Sequence, residues 1–134
     1  MSTEKYLIPE SLYYTEEHEW LRVEREYGVM GITDYAQKSL HEIVFVELPE
    51  VGTEVQQKGM LGTVESVKAV SDIFSPISGV VIEVNEELID KPEILNSDPY
   101  NAGWIAKIKP RNLNEELKRL MNAERYKQYL ASLE

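Results

Sequence analysis

Lys68 stands between two apolar arms, Met60-Leu61-Gly62-Thr63-Val64 before it and Val70-Ser71-Asp72-Ile73-Phe74 after it, with Gly59 and Gly79 further out on either side. Arms of similar length bounded by turn residues read as a β-hairpin, about 60–75, with the lysine at its tip. A primary amine there is extended and solvated, open to a modifying enzyme. Ser66, Ser71 and Asp72 can close the turn with side-chain-to-backbone hydrogen bonds. By residue type alone such a lysine is an ordinary surface charge, so any special role has to come from its neighbours. His18-Glu19 is the second pair with chemistry in it, because an imidazole titrates near neutrality and a carboxylate can tune it. A small hydrolase using His18 with Glu19 or Glu17 is the enzyme alternative. Adjacent residues on a strand point to opposite faces, however, so this pair is not expected to converge.

The remaining chemistry is bounded by what the chain lacks. It has 134 residues and no cysteine, so no disulfide, thiolate nucleophile or thiolate metal site can come from the polypeptide, and sulfur chemistry must be imported. Its 2 histidines have no matched partners nearby and offer no metal set. Gly59-Met60-Leu61-Gly62 has neither the spacing nor the following lysine and hydroxyl of a phosphate loop. A net charge of −10 disfavours nucleic acid and favours basic protein surfaces as partners. No stretch approaches the roughly 20 apolar residues that span a bilayer, so no membrane partner is expected. The start, Met1-Ser2-Thr3-Glu4-Lys5, has no presequence character; a cytoplasmic address fits, or the mitochondrial matrix for a processed organellar form.

Positioning these groups falls to short β-rich runs: Trp20 to Arg25, Val29 to Thr33, Ile43 to Leu48, Leu61 to Ser66, Val80 to Val84 and Trp104 to Ile108, punctuated by Gly and Pro. The expected architecture is mainly β, a sandwich or flattened barrel, in one domain over residues 1–134. Val44-Phe45-Val46-Glu47-Leu48 is mostly apolar and predicts a strand buried on both faces or central to the fold. Thr33 or Asp34 can cap a short helix through Leu40. Beyond Pro110, Leu113, Leu117, Leu120 and Met121 recur at helical spacing, with Asn112 as candidate cap, giving a C-terminal helical segment at about 112–132 that packs on the sandwich edge. Tyr126, Tyr129, Leu130 and Leu133 extend that stripe, or Asn122 breaks it into two helices. Trp104 reads as a core residue of the last strand.

The run Glu65-Ser66-Val67-Lys68-Ala69-Val70-Ser71-Asp72, followed by Ser75-Pro76-Ile77-Ser78-Gly79, closely resembles the lipoylation hairpin of glycine cleavage H proteins. The resemblance continues through His18-Glu19-Trp20, Gly31-Ile32-Thr33-Asp34-Tyr35-Ala36-Gln37, Val44-Phe45-Val46-Glu47-Leu48-Pro49, Asn96-Ser97-Asp98-Pro99-Tyr100 and Gly103-Trp104. Biotin carriers typically flank their lysine with Met, and lipoyl domains of 2-oxoacid dehydrogenases with Asp before and Ala after; here Val67 precedes Lys68. The resemblance implies a lipoyl/biotinyl-carrier-like β-sandwich that is a free-standing, non-catalytic monomer, with lipoate joined to Lys68. It implies an arm that takes an aminomethyl group from glycine decarboxylase, passes it to an aminomethyltransferase and is reoxidised by dihydrolipoamide dehydrogenase. A lipoate ligase or a lipoyl/octanoyl transferase would attach the arm. From the lysine Cα to sulfur the arm's reach is on the order of 14 Å. By the same resemblance Glu19 and Asp72 are the groups that hold the loaded amine. Glu17 stands where some relatives have a small hydroxyl residue. The alternative within this class is an H-like protein serving as lipoyl donor for other proteins.

Overall fold

The structure, a computed structural model, describes residues 6–133. Among these residues nine strands form two antiparallel sheets. The larger contains β1 (Tyr13–Tyr14), β2 (Glu19–Val23), β3 (Gly28–Ile32), β5 (Glu54–Val55), β8 (Gly79–Val84) and β9 (Ala106–Pro110), in the order β1-β2-β3-β9-β8-β5. The smaller contains β4 (Ile43–Glu47), β6 (Met60–Ser66) and β7 (Val70–Phe74), in the order β4-β6-β7. Five helices connect or flank them: α1 (Asp34–Leu40), α2 (Glu87–Asp90), α3 (Ile94–Ser97), α4 (Leu113–Leu117) and α5 (Ala123–Ser132). The expected sandwich with a short helix and helical tail is therefore present. Thr33 caps α1 by accepting from Ala36 N.

Two apolar clusters hold these layers. Between the sheets, Leu21, Met30, Ile43, Val46, Val64, Ile73, Val81 and Ile108 are buried together. On the outer side of β1-β2-β3, Tyr14, Trp20 and Val29 are buried with Met121, Ala123, Tyr126 and Leu130. The tail divides between them. Leu113, Leu117 and Leu120 pack on the inter-sheet cluster, while α5 closes the second. The helix is broken between Leu117 and Ala123, and the side chain of Asn122 accepts from Arg125 N to cap α5; Asn112 makes no such capping bond.

Two expectations about the core fail. β4 is an edge strand, with β6 its one neighbour, and Phe45 is 51% exposed. A register shift between Ile43 and Phe45 breaks the inward-outward alternation, so Val44 and Phe45 both face out while Ile43 and Val46 face in. Trp104 lies before β9 rather than within it and is only half-buried, with Lys107 Nζ 5.0 Å from its ring centroid. Ile105 is the residue that enters the inter-sheet core.

Candidate functional site

The β6–β7 hairpin places Val67, Lys68 and Ala69 in its turn. Ser66 closes that turn from inside. Its Oγ accepts from Lys68 N at 3.1 Å and from Ala69 N at 3.0 Å, and its own N–H donates to Ala69 O at 2.8 Å. Val67 N donates to Glu42 O at 2.9 Å, tying the tip to the segment between α1 and β4. Gly62 lets β4 lie close behind the hairpin, because a Cβ there would collide with the Glu47 carbonyl. The backbone at the tip is thus held on two sides, while the Lys68 side chain is exposed and its Nζ donates to Ser39 O at 2.9 Å, at the end of α1. Ser71 and Asp72 take no part in closing the turn: Ser71 Oγ donates to Asp72 O at 3.4 Å. Val67 and Val70, 64% and 65% exposed, flank the lysine.

Glu19 opens β2 and is 1% exposed. Its environment is built by the β1–β2 turn. Thr15 N donates to Glu19 O and His18 N to Thr15 O, and the chain passes through His18 at φ 74° to complete the turn. Thr15 Oγ accepts from Glu19 N at 3.0 Å and donates to Glu19 Oε1 at 2.5 Å. Glu19 Oε2 accepts from Phe74 N at 3.0 Å, so the carboxylate also satisfies the outer edge of β7. Burial pushes the Glu19 carboxyl up to about 7; the Thr15 hydroxyl and the Phe74 amide pull it down, and nearby Glu17 raises it.

This carboxylate lines a cleft of about 510 Å³ between the β1–β2 turn, the base of the hairpin and the helical tail. Glu16, Glu17 and Glu19 line one part of it, and Lys58, Arg119 and Arg125 are also in its wall. Asp72 is absent from that wall. It pairs with Thr63 on the exposed face of the three-stranded sheet, two residues along β7 from Phe74, whose amide reaches Glu19. His18 and Glu19 do not converge: His18 Nδ1 lies 2.9 Å from the Tyr126 hydroxyl, among Tyr35, Tyr126 and Tyr129. Burial lowers its pKa to about 4.

Sequence reasoning missed the partners. Thr15 and the Phe74 amide reach Glu19 from two different elements, and nothing in their residue types marks them. It also missed Glu116 in α4, which is buried and accepts from Ser78 N and Ser78 Oγ, pinning the strand that leaves the hairpin. Gln57 adds to the brace by donating to Pro76 O and Glu116 O.

A two-sheet sandwich that offers an exposed lysine on a braced hairpin is the architecture of the lipoyl carriers. The "Glycine cleavage H-protein" family model matches residues 12–133. Among curated proteins, a "Probable glycine cleavage system H protein" of Pyrococcus abyssi is 62% identical over 130 residues, covering 96% of this chain and 96% of the relative. A glycine cleavage system H protein of Halothermothrix orenii is 50% identical, covering 95% of this chain and 98% of its own. The crystal structure of a glycine cleavage system H protein from Mycobacterium marinum superposes with a TM-score of 0.85 at 37% identity, covering 92% of this chain and 99% of that one. The chain belongs to the glycine cleavage H-protein family, carrier components of a multienzyme system. The names found support the H-protein role rather than that of a dedicated lipoyl donor.

Proposed function

We propose that the whole chain acts as one lipoyl-carrier domain, with the arm joined through an amide to Lys68 Nζ, and that its body holds and shields cargo while partner enzymes do the chemistry. The observation that carries this is the Lys68 tip: a backbone fixed by Ser66 and Glu42 under an exposed side chain. Fixed below and exposed above is what an attachment post requires, because the post sets where the arm pivots and the arm supplies the reach. The residues fit the group. One exposed hydrogen bond to Ser39 O is all that a modifying enzyme has to displace. When bound, lipoate supplies the dithiol and disulfide chemistry that a cysteine-free chain lacks.

The chain's own part lies in the cleft. Phe74 is six residues along the hairpin from Lys68, roughly 20 Å at the rise of a strand. An arm of about 14 Å with a one-carbon amine added beyond its sulfur reaches roughly 17 Å, to within about 3 Å of the Phe74 amide from which Glu19 accepts. Glu19 in its ionised form accepts a charge-assisted hydrogen bond and keeps that amine protonated. Asp72, exposed two residues along β7 from Phe74, is the second carboxylate proposed to meet the amine. The partners proposed are the glycine decarboxylase, the aminomethyltransferase, the dihydrolipoamide dehydrogenase and the enzyme that attaches lipoate.

Intact mass and peptide mapping after expression with lipoate test the reading. The adduct is expected on Lys68 alone. Lys68→Arg keeps length and charge but offers no amine for acylation; it should fold with unchanged melting, carry no adduct and fail to accept cargo from glycine decarboxylase. An adduct elsewhere, or undiminished adduct in Lys68→Arg, overturns the assignment.

A further inference from the structure

We propose that Thr15 is a positioning residue for Glu19, its hydroxyl holding the carboxylate in the cleft wall and keeping it available as an anion. This rests on the reading of Glu19 as the group that meets a protonated amine.

The geometry is specific. The β1–β2 turn is already closed by main-chain bonds, from Thr15 N to Glu19 O and from His18 N to Thr15 O. The Thr15 hydroxyl does something further. It has one proton, and while it accepts from Glu19 N it directs that proton at Oε1. With Phe74 N directed at Oε2, each carboxylate oxygen faces a donor. Two donors aimed at a carboxylate favour its charged form, whereas burial favours the acid. The backbone amide belongs to β7 and cannot be varied by substitution of its side chain, so the hydroxyl is the adjustable half of this balance.

Other charges face the same space and have to be kept constant in a test. Glu16 and Glu17 come from the turn itself, Lys58 from the loop before β6, and Arg119 from the α4–α5 junction. Tyr14 belongs to β1, and Arg125 and Tyr129 to α5; the His18 imidazole is directed toward Tyr126. None is altered when Thr15 alone is replaced, so a difference between Thr15 variants isolates the hydroxyl.

The test titrates the ¹³C-labelled Glu19 carboxyl by NMR in the lipoyl-free chain. The wild-type midpoint is expected near 7. Thr15→Val should move it upward, lowering the ratio of ionised to neutral Glu19 at a given pH by roughly tenfold, the worth of one charge-assisted hydrogen bond. Thr15→Ser should restore the wild-type curve. Thr15→Ala gives the same comparison if valine disturbs the hairpin. Coincident curves for wild type and the hydroxyl-free variants overturn the proposal, and so does an equal shift in Thr15→Ser. In lipoylated protein loaded with cargo, Glu19→Gln tests the underlying reading separately, by formaldehyde release. If Glu19→Gln retains cargo as wild type does while the titration still responds to Thr15, the amine reading falls and the positioning role stands.

Discussion

His18 is a residue whose type suggested reactivity and whose surroundings make it structural. Enclosed by tyrosines and bonded to the Tyr126 hydroxyl, it is held neutral, with its pKa lowered from 6.5 to about 4 by burial. The unfolded chain therefore binds a proton that the folded chain refuses between these values. His18 contributes fully above pH 6.5 and loses its contribution progressively as pH falls toward 4. His18→Gln keeps an acceptor for the tyrosine but has no proton to take up. Thermal melts of the two proteins should differ most near pH 7, and the gap should narrow as pH falls toward 4; a constant gap would show that His18 titrates alike in the folded and unfolded chain. Glu19 runs the other way. Its raised pKa means that the folded chain holds the extra proton, so that residue's contribution declines as pH rises from 4.5 to about 7.

At the scale of elements, the tail is two helices with different duties. α4 leans on the inter-sheet core and delivers Glu116 to Ser78, whereas α5 seals the cluster around Trp20 and Tyr14. Tyr126 is the centre of that seal. It is fully buried, stacks on Tyr14 at 4.6 Å and bonds to both His18 and Thr33. Tyr126→Ala should cost about 3–5 kcal/mol, by loss of a large aromatic from a packed site, and should leave Lys68 as readily modified as before. Chemical denaturation and the yield of lipoyl adduct check the two halves of this expectation. An adduct yield that falls with stability would mean that the hairpin depends on α5 after all.

For the molecule as a whole, the hairpin and its lysine were legible because glycines, apolar arms and a polar tip have a recognisable spacing. The sandwich was legible from its short alternating runs, and the break in the tail was one of two options the stripe allowed. The rest failed for physical reasons. β1 and β5 are two residues each, too short to show a period. Val44 and Phe45 read as core because apolar residues usually are, and an irregularity in pairing turned both outward. Glu19 was picked out, but its burial depends on Thr15 and on an amide 55 positions away, which no local pattern records. Asp72 was named from the resemblance, and the period of β7 puts it on the same face as Phe74, opposite buried Ile73. The charge of −10 remains the molecule's largest long-range property. It should make association with basic partner surfaces sensitive to salt, since the screening length shrinks from about 10 Å at 0.1 M to about 3 Å at 1 M. KM for the lipoylated chain with each partner should rise with added salt while kcat holds; a KM indifferent to salt would rule out electrostatic steering.

Because the turn is fastened by Ser66 from within and by Glu42 from behind, the pivot of the arm is a fixed point on the body. A tether of about 14 Å sweeping the open half-space around such a point is confined to a few thousand cubic ångströms, equivalent to a local concentration on the order of 0.3 M. Any site within that hemisphere meets the arm as though bathed in a concentrated solution of it, however dilute the carrier itself. A loosened turn would spread the same arm through a larger volume, and the advantage would fall as the inverse cube of the total reach, arm and slack together.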